Sequence, residues 1–184
     1  MESLIQLNNL LNQPNTFVRN ISQIILLANQ FITNFENKDT IAGDGNIADE
    51  LRPILATISD PAASIPVEVD IIIASILKIL LRKPCNRLSL GKYGMSSIIR
   101  SMLRLQTGKN ITASAEMCNV VLNTCYDGAN VQLLVELNGI VPILKYLKSK
   151  ETAVLCSSLG ALQGLCYVPL GRQTIRQNSK VSNS

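Results

Sequence analysis

The residues able to do chemistry in this 184-residue chain are few. There is no histidine, and there are five cysteines: Cys85, Cys118, Cys125, Cys156 and Cys166. A cysteine or serine nucleophile needs a base to take its proton, so without histidine neither a Cys/His dyad nor a Ser/His/Asp triad can form. A zinc site built from thiolates needs close cysteine pairs, and no CxxC spacing occurs. An odd number of cysteines, four of them within apolar helical stretches, predicts free buried thiols in an intracellular compartment rather than a disulfide framework.

Two loops imitate ligand-binding motifs and fail on inspection. The segment DTIAGDGNIADE has an acid at each end of a twelve-residue window, as a calcium loop does. Ile41 stands where the third-position oxygen ligand belongs, and Asp44 where the sharp turn needs glycine, so 37–46 reads as a connector. Gly108-Lys109 lacks the earlier glycine of a phosphate loop, where Leu103 stands, and the following Ser/Thr, where Asn110 stands. Nucleotide hydrolysis is therefore not expected. No cofactor, metal or enzymatic activity is expected either.

Charge is divided along the chain. Residues 1–77 carry three basic and nine acidic side chains, and residues 78–184 carry fourteen basic and four acidic. Between Ile71 and Ala115 there is no acid, while Lys78, Arg82, Lys83, Arg87, Lys92, Arg100, Arg104 and Lys109 all fall there. That stretch reads either as a solvated helical face or as a basic surface for acidic peptide, phosphate or nucleic acid. The start, MESLIQLNNLL, has no basic leader, and the apolar run Val69 to Leu81 is broken by Asp70, Ser75 and Lys78. Neither a signal peptide nor a membrane span is predicted.

These residues must be positioned by helices. Hydrophobic side chains recur at helical spacing almost throughout, as in Ile21, Ile24, Ile25, Ala28, Phe31, Ile32 and Phe35, and period-two alternation is almost absent. The pattern predicts helices near 47–59, 67–82, 94–105, 112–126, 130–138, 140–149 and 151–167. They recur at intervals. KYGMSSIIRSML aligns with LNGIVPILKYLK at an offset of 45, pairing Gly94 with Gly139 and Ile98 with Ile143. VVLNTCYDGANVQLL aligns with ALQGLCYVPLGRQTI at an offset of 41, pairing Cys125 with Cys166 and Tyr126 with Tyr167. The difference is absorbed by a longer loop near Thr107 to Thr112, where stacked helices tolerate it.

The block NVQLLVELNGIVPILKYLKSKETAVLCSSLGALQGLCYVPLGRQ resembles the armadillo repeat over its whole length. The resemblance implies an all-α fold: a right-handed superhelical solenoid of about three repeats, each with a short helix, a glycine bend, a second helix and a longer third helix, behind an N-terminal helical cap. The corresponding boundaries are an atypical cap and loop at 1–45, a divergent repeat at 46–85, repeats at 86–129 and 130–170, and the start of a further repeat with a disordered tail at 171–184. HEAT repeats are the structural alternative.

By the same resemblance, third helices line a concave groove that holds extended peptides. Asn123 matches the family's peptide-clamping asparagine, and the corresponding places hold Gly164 in the next copy and Ile79 or Lys78 in the previous one. Asn119, Gly160 and either Ala74 or Ser75 lie one turn earlier, at the places where peptide-binding members carry tryptophan. This chain has no tryptophan, so nuclear-signal recognition of the importin alpha type is not expected. Tyr126 and Tyr167, one turn beyond, either edge the groove or pack between third helices with the hydroxyl reaching solvent, the reading preferred, and Cys125 and Cys166 read as a small apolar core site. Together with Arg82, one turn beyond Lys78, these residues imply a non-enzymatic protein-interaction scaffold for an extended, acidic partner segment, in the cytoplasm or nucleus. Two alternatives are an armadillo-type regulator of a small GTPase, which NTCYDGANVQLLVELNG also resembles, and nucleic-acid binding through the basic 78–109 stretch. The poverty in aromatic residues argues against gripping single strands. An uncapped last face at the C-terminal end implies self-association.

Overall fold

The computed structural model describes residues 65–108 and 110–181, with Gln6, Asn9, Leu10, Gln23, Ile24, 26–30 and Leu55. The loop predicted at 37–46 and most of the helix predicted at 47–59 lie outside the described residues. The fold is all-α, and no strand occurs among the described residues. Among the described residues from 65 onward the helices run in order: α1 (Val67–Leu80), α2 (Pro84–Gly108), α3 (Ile111–Thr124), α4 (Gly128–Glu136), α5 (Ile140–Tyr146), α6 (Thr152–Cys166) and α7 (Pro169–Val181). Among the described residues, no helix is long and apolar enough to cross a membrane.

Helix starts follow local chemistry. Pro84 and Pro169 open α2 and α7, where the missing N–H costs nothing. Asn110 and Asp127 cap α3 and α4, their side-chain oxygens accepting from Ala113 N–H (3.1 Å) and Ala129 N–H (2.9 Å). In α1, Glu68 and Asp70 in the first turn and Lys78 in the last suit the helix dipole.

α3 is the centre of the packing, in contact with α6 on one side and α1 on the other. α2 lies against α3, α4 and α5, and α7 against α4 and α6. The core is aliphatic and continuous, joining Ile73, Ile76, Leu77 and Leu80 of α1, Ile98 and Met102 of α2, Val120 and Val121 of α3, and Ala161 and Leu165 of α6. Ile24, Leu27, Ala28 and Leu55 belong to the same core.

One predicted bend is present and its counterpart is not. Between α4 and α5, Asn138 takes a left-handed φ of 56°. Gly139 N–H then donates to Leu134 O (2.8 Å) and Asn138 N–H to Val135 O (3.0 Å), which closes the helix end. A Cβ on Gly139 would stand 2.5 Å from Leu134 Cδ1 and 2.8 Å from Ile99 Cδ1. At the matched position Gly94 the chain does not turn: α2 runs unbroken through it. The residue matching Asn138 is Tyr93, and a bulky side chain is poorly suited to left-handed backbone. Gly94 instead allows close approach of Leu55, whose Cδ1 would lie 2.9 Å from an added Cβ. At the other end, α7 continues through Val181, so residues 179–181, expected in a disordered tail, are helical.

Candidate functional site

Several polar groups expected to meet a partner are used inside the chain. Lys78 Nζ lies 2.5 Å from Glu116 Oε2, tying α1 to α3, and both side chains are mostly buried. Asn123 Nδ2 donates to the backbone carbonyl of Lys78 at 2.9 Å. That carbonyl is available because Arg82 N–H donates to Ile79 O (3.1 Å) instead. Lys78 and Asn123 thus form an internal junction rather than an open clamp. Gly160 and Gly164 lie where α6 meets α3, with added Cβ atoms 3.5 Å from Leu122 Cδ2 and 3.0 Å from Leu122 Cδ1. They let the two helices approach. Asn119 is half-buried on α3.

The basic stretch is also partly consumed. Arg104 reaches from α2 to Asp70 on α1 through both terminal guanidinium nitrogens, Nη1 to Oδ2 at 2.9 Å and Nη2 to Oδ1. Asp70 is 4% exposed, so the pair is a buried fork of the kind that fixes one helix against another.

The turns after α1, α3 and α6 are built alike. Asn86 Nδ2 donates to Leu80 O (3.0 Å), and Asn130 Nδ2 donates to Thr124 O (3.1 Å), each six residues back. Arg87 Nε donates to Leu81 O (2.8 Å) and Arg172 Nη1 to Cys166 O (2.5 Å), again six residues back. Each bond satisfies a carbonyl in the last turn or cap of a helix that the helix itself leaves open. Asn130 adds a second bond, to Arg87 O at 2.9 Å, linking successive turns.

These turns present a row of outward side chains. Arg82 follows α1, Tyr126 follows α3 and Tyr167 follows α6, and all three are exposed. The tyrosines are 54% and 67% exposed, so the expectation that they pack between helices is corrected. The turn carries each ring past the last covered residue of its helix. Over Tyr126 lies the Arg87 guanidinium, 5.1 Å from the ring centroid, a cation–π contact that holds the ring in place. Arginine at these helix C-termini also meets the negative end of the helix dipole. The row is cationic and aromatic, with hydroxyl and guanidinium donors at its surface.

The cysteines divide into two classes. All five are free thiols; Cys118 and Cys125 are buried, whereas Cys85, Cys156 and Cys166 are exposed. Burial pushes the Cys118 and Cys125 thiols up to about 12, which keeps them protonated and inert at neutral pH. Cys166 was expected to share a core site with Cys125. The difference is that α6 covers Cys125, while the equivalent face of α6 bears Cys156, Leu159 and Cys166 in the open.

Sequence reasoning missed Lys145, Lys148 and Lys150, which surround an open cleft beside Tyr146. Their clustering in KYLKSKE was the available signal. Compared with protein-family models, curated proteins and solved structures, the chain finds no match.

Proposed function

We propose that this chain is an armadillo-like solenoid that acts as a non-enzymatic protein-interaction scaffold, gripping an extended acidic segment of a partner along the Arg82, Tyr126 and Tyr167 row. The observation that carries the reading is the row itself: three large polar side chains exposed at equivalent helix ends, with Arg87 stacked on the central ring. Exposed tyrosine supplies rigid contact area at low entropic cost and arginine supplies directional donors, and both are enriched in binding hot spots. Support for the solenoid comes from the recurring bonds six residues back at successive turns and from the placing of α3 between α1 and α6. An acidic partner follows from the guanidinium groups at the row and the ten-charge excess of residues 78–184. Contact at helix ends, rather than at Lys78 and Asn123, departs from the groove that the family resemblance implies.

A random-peptide display selection against the intact chain tests this. Acidic sequences should be enriched, and they should lose binding to the Tyr126→Ala, Tyr167→Ala double variant. Enrichment with no acidic bias, or retention by the double variant, contradicts the reading.

A further inference from the structure

We infer that the cleft between the end of α2, the start of α3, the end of α5 and the start of α6 is a separate binding site for an acidic protein segment anchored by apolar side chains. The cleft measures about 820 Å³ and opens on the solvent. Its walls are apolar: Leu105, Ile111, Tyr146 and Val154. Ile111 is 42% exposed at the first position of α3, an apolar side chain left uncovered at the mouth. Tyr146 closes the back of the cleft as a buried ring, its O–H turned inward and donating to Met102 O at 2.7 Å.

The rim carries Lys145, Lys148 and Lys150, all exposed, with Glu151 as the acid beside them. Elsewhere the chain matches a cation between helices with a carboxylate, as Lys78 with Glu116 and Arg104 with Asp70. None of the three rim lysines has an ion pair among the described residues. In the wall, Asn110 uses its Oδ1 to cap α3, while its Nδ2 is buried with no acceptor.

An apolar floor beneath a cationic rim selects the occupant. A bare phosphate would gain nothing from Leu105, Ile111 and Val154. A nucleic-acid strand would need exposed rings on which to stack, and Tyr146 is 5% exposed. A peptide carrying Leu or Phe between acidic residues satisfies both parts: the side chain fills the floor, and carboxylates meet the ammonium groups. Lysines of this kind mainly raise the association rate and are screened by salt.

The test uses the intact chain and a fluorescent peptide of sequence Gly-Asp-Glu-Leu-Phe-Glu-Asp-Gly, followed by anisotropy at low and physiological salt. The Lys145→Gln, Lys148→Gln, Lys150→Gln variant should lose about tenfold or more in affinity and most of the salt dependence, with unchanged circular dichroism. A Ser-Ser replacement of Leu-Phe in the peptide should lose at least as much. Tyr126→Ala with Tyr167→Ala should leave this binding intact, so the site can stand or fall apart from the helix-end row. Equal affinity of the triple variant, equal affinity of the Ser-Ser peptide, or displacement of the peptide by a single-stranded RNA oligonucleotide of equal charge overturns the proposal. Should the triple variant lose helicity, the Ser-Ser comparison on the unmodified chain decides alone.

Discussion

Asn123 on α3 donates its side-chain amide to the backbone carbonyl of Lys78 on α1, 2.9 Å away and 45 residues earlier in sequence. The same lysine pairs through its side chain with Glu116 on α3, so backbone and side chain of one residue are both held by one neighbouring helix. Replacing Asn123 by Ala removes the donor and leaves the carbonyl in a partly buried junction. The variant should be less stable by about 1–3 kcal/mol in urea unfolding, without loss of affinity per folded molecule for peptides selected on the intact chain.

Gly91→Ala tests the turn architecture. A Cβ there would collide with the Asn130 carboxamide, which cannot move without breaking its bonds to Arg87 O and Thr124 O. The expected loss is about 2–4 kcal/mol, combining overpacking with two disrupted hydrogen bonds. Gly128→Ala is the matched control, since its nearest neighbour, Val168 Cγ2, is 3.8 Å from an added Cβ. It should change stability by less than about 1 kcal/mol.

Leu162 is buried in the core on α6. Truncation to Ala should cost about 2–5 kcal/mol, measured by thermal or denaturant unfolding, because the surrounding helices cannot close the space completely.

The thiols give a kinetic and a pH prediction. Cys85, Cys156 and Cys166 should react rapidly with a thiol reagent in the native state, and Cys118 and Cys125 only after unfolding. Since burial raises the latter two from the ordinary 9.0 to about 12, the folded chain holds protons that the unfolded chain releases between those values. Their contribution to stability is complete below pH 9 and is lost as pH rises towards 12, at up to roughly 1.4 kcal/mol per pH unit for each thiol. Cys118→Ala with Cys125→Ala should flatten this alkaline decline.

The all-helical fold was legible because aliphatic residues recur at helical spacing, and the turn at Gly139 because asparagine precedes it. Gly94 misled for the converse reason. A glycine marks either a bend or a close contact, and only the residue before it, Tyr93 rather than Asn138, tells them apart. The fate of Asn123 was not legible, since an amide on a helix face meets solvent, a partner or a neighbouring carbonyl according to packing alone. Cys125 and Cys166 occupy matched positions, yet only the former has a helix laid over it. Lys145, Lys148 and Lys150 were visible as charge but not as a cleft, because the apolar floor beneath them comes from residues far apart in sequence.

The central claim, that the helix-end row recognises an acidic protein segment, is tested most directly by calorimetric titration of one display-selected acidic peptide into the intact chain and into the Tyr126→Ala, Tyr167→Ala variant, at low and physiological salt. The account predicts saturable binding to the intact chain that weakens with salt, and a loss of about tenfold or more in the variant at unchanged helicity. Equal affinity for both proteins would contradict it.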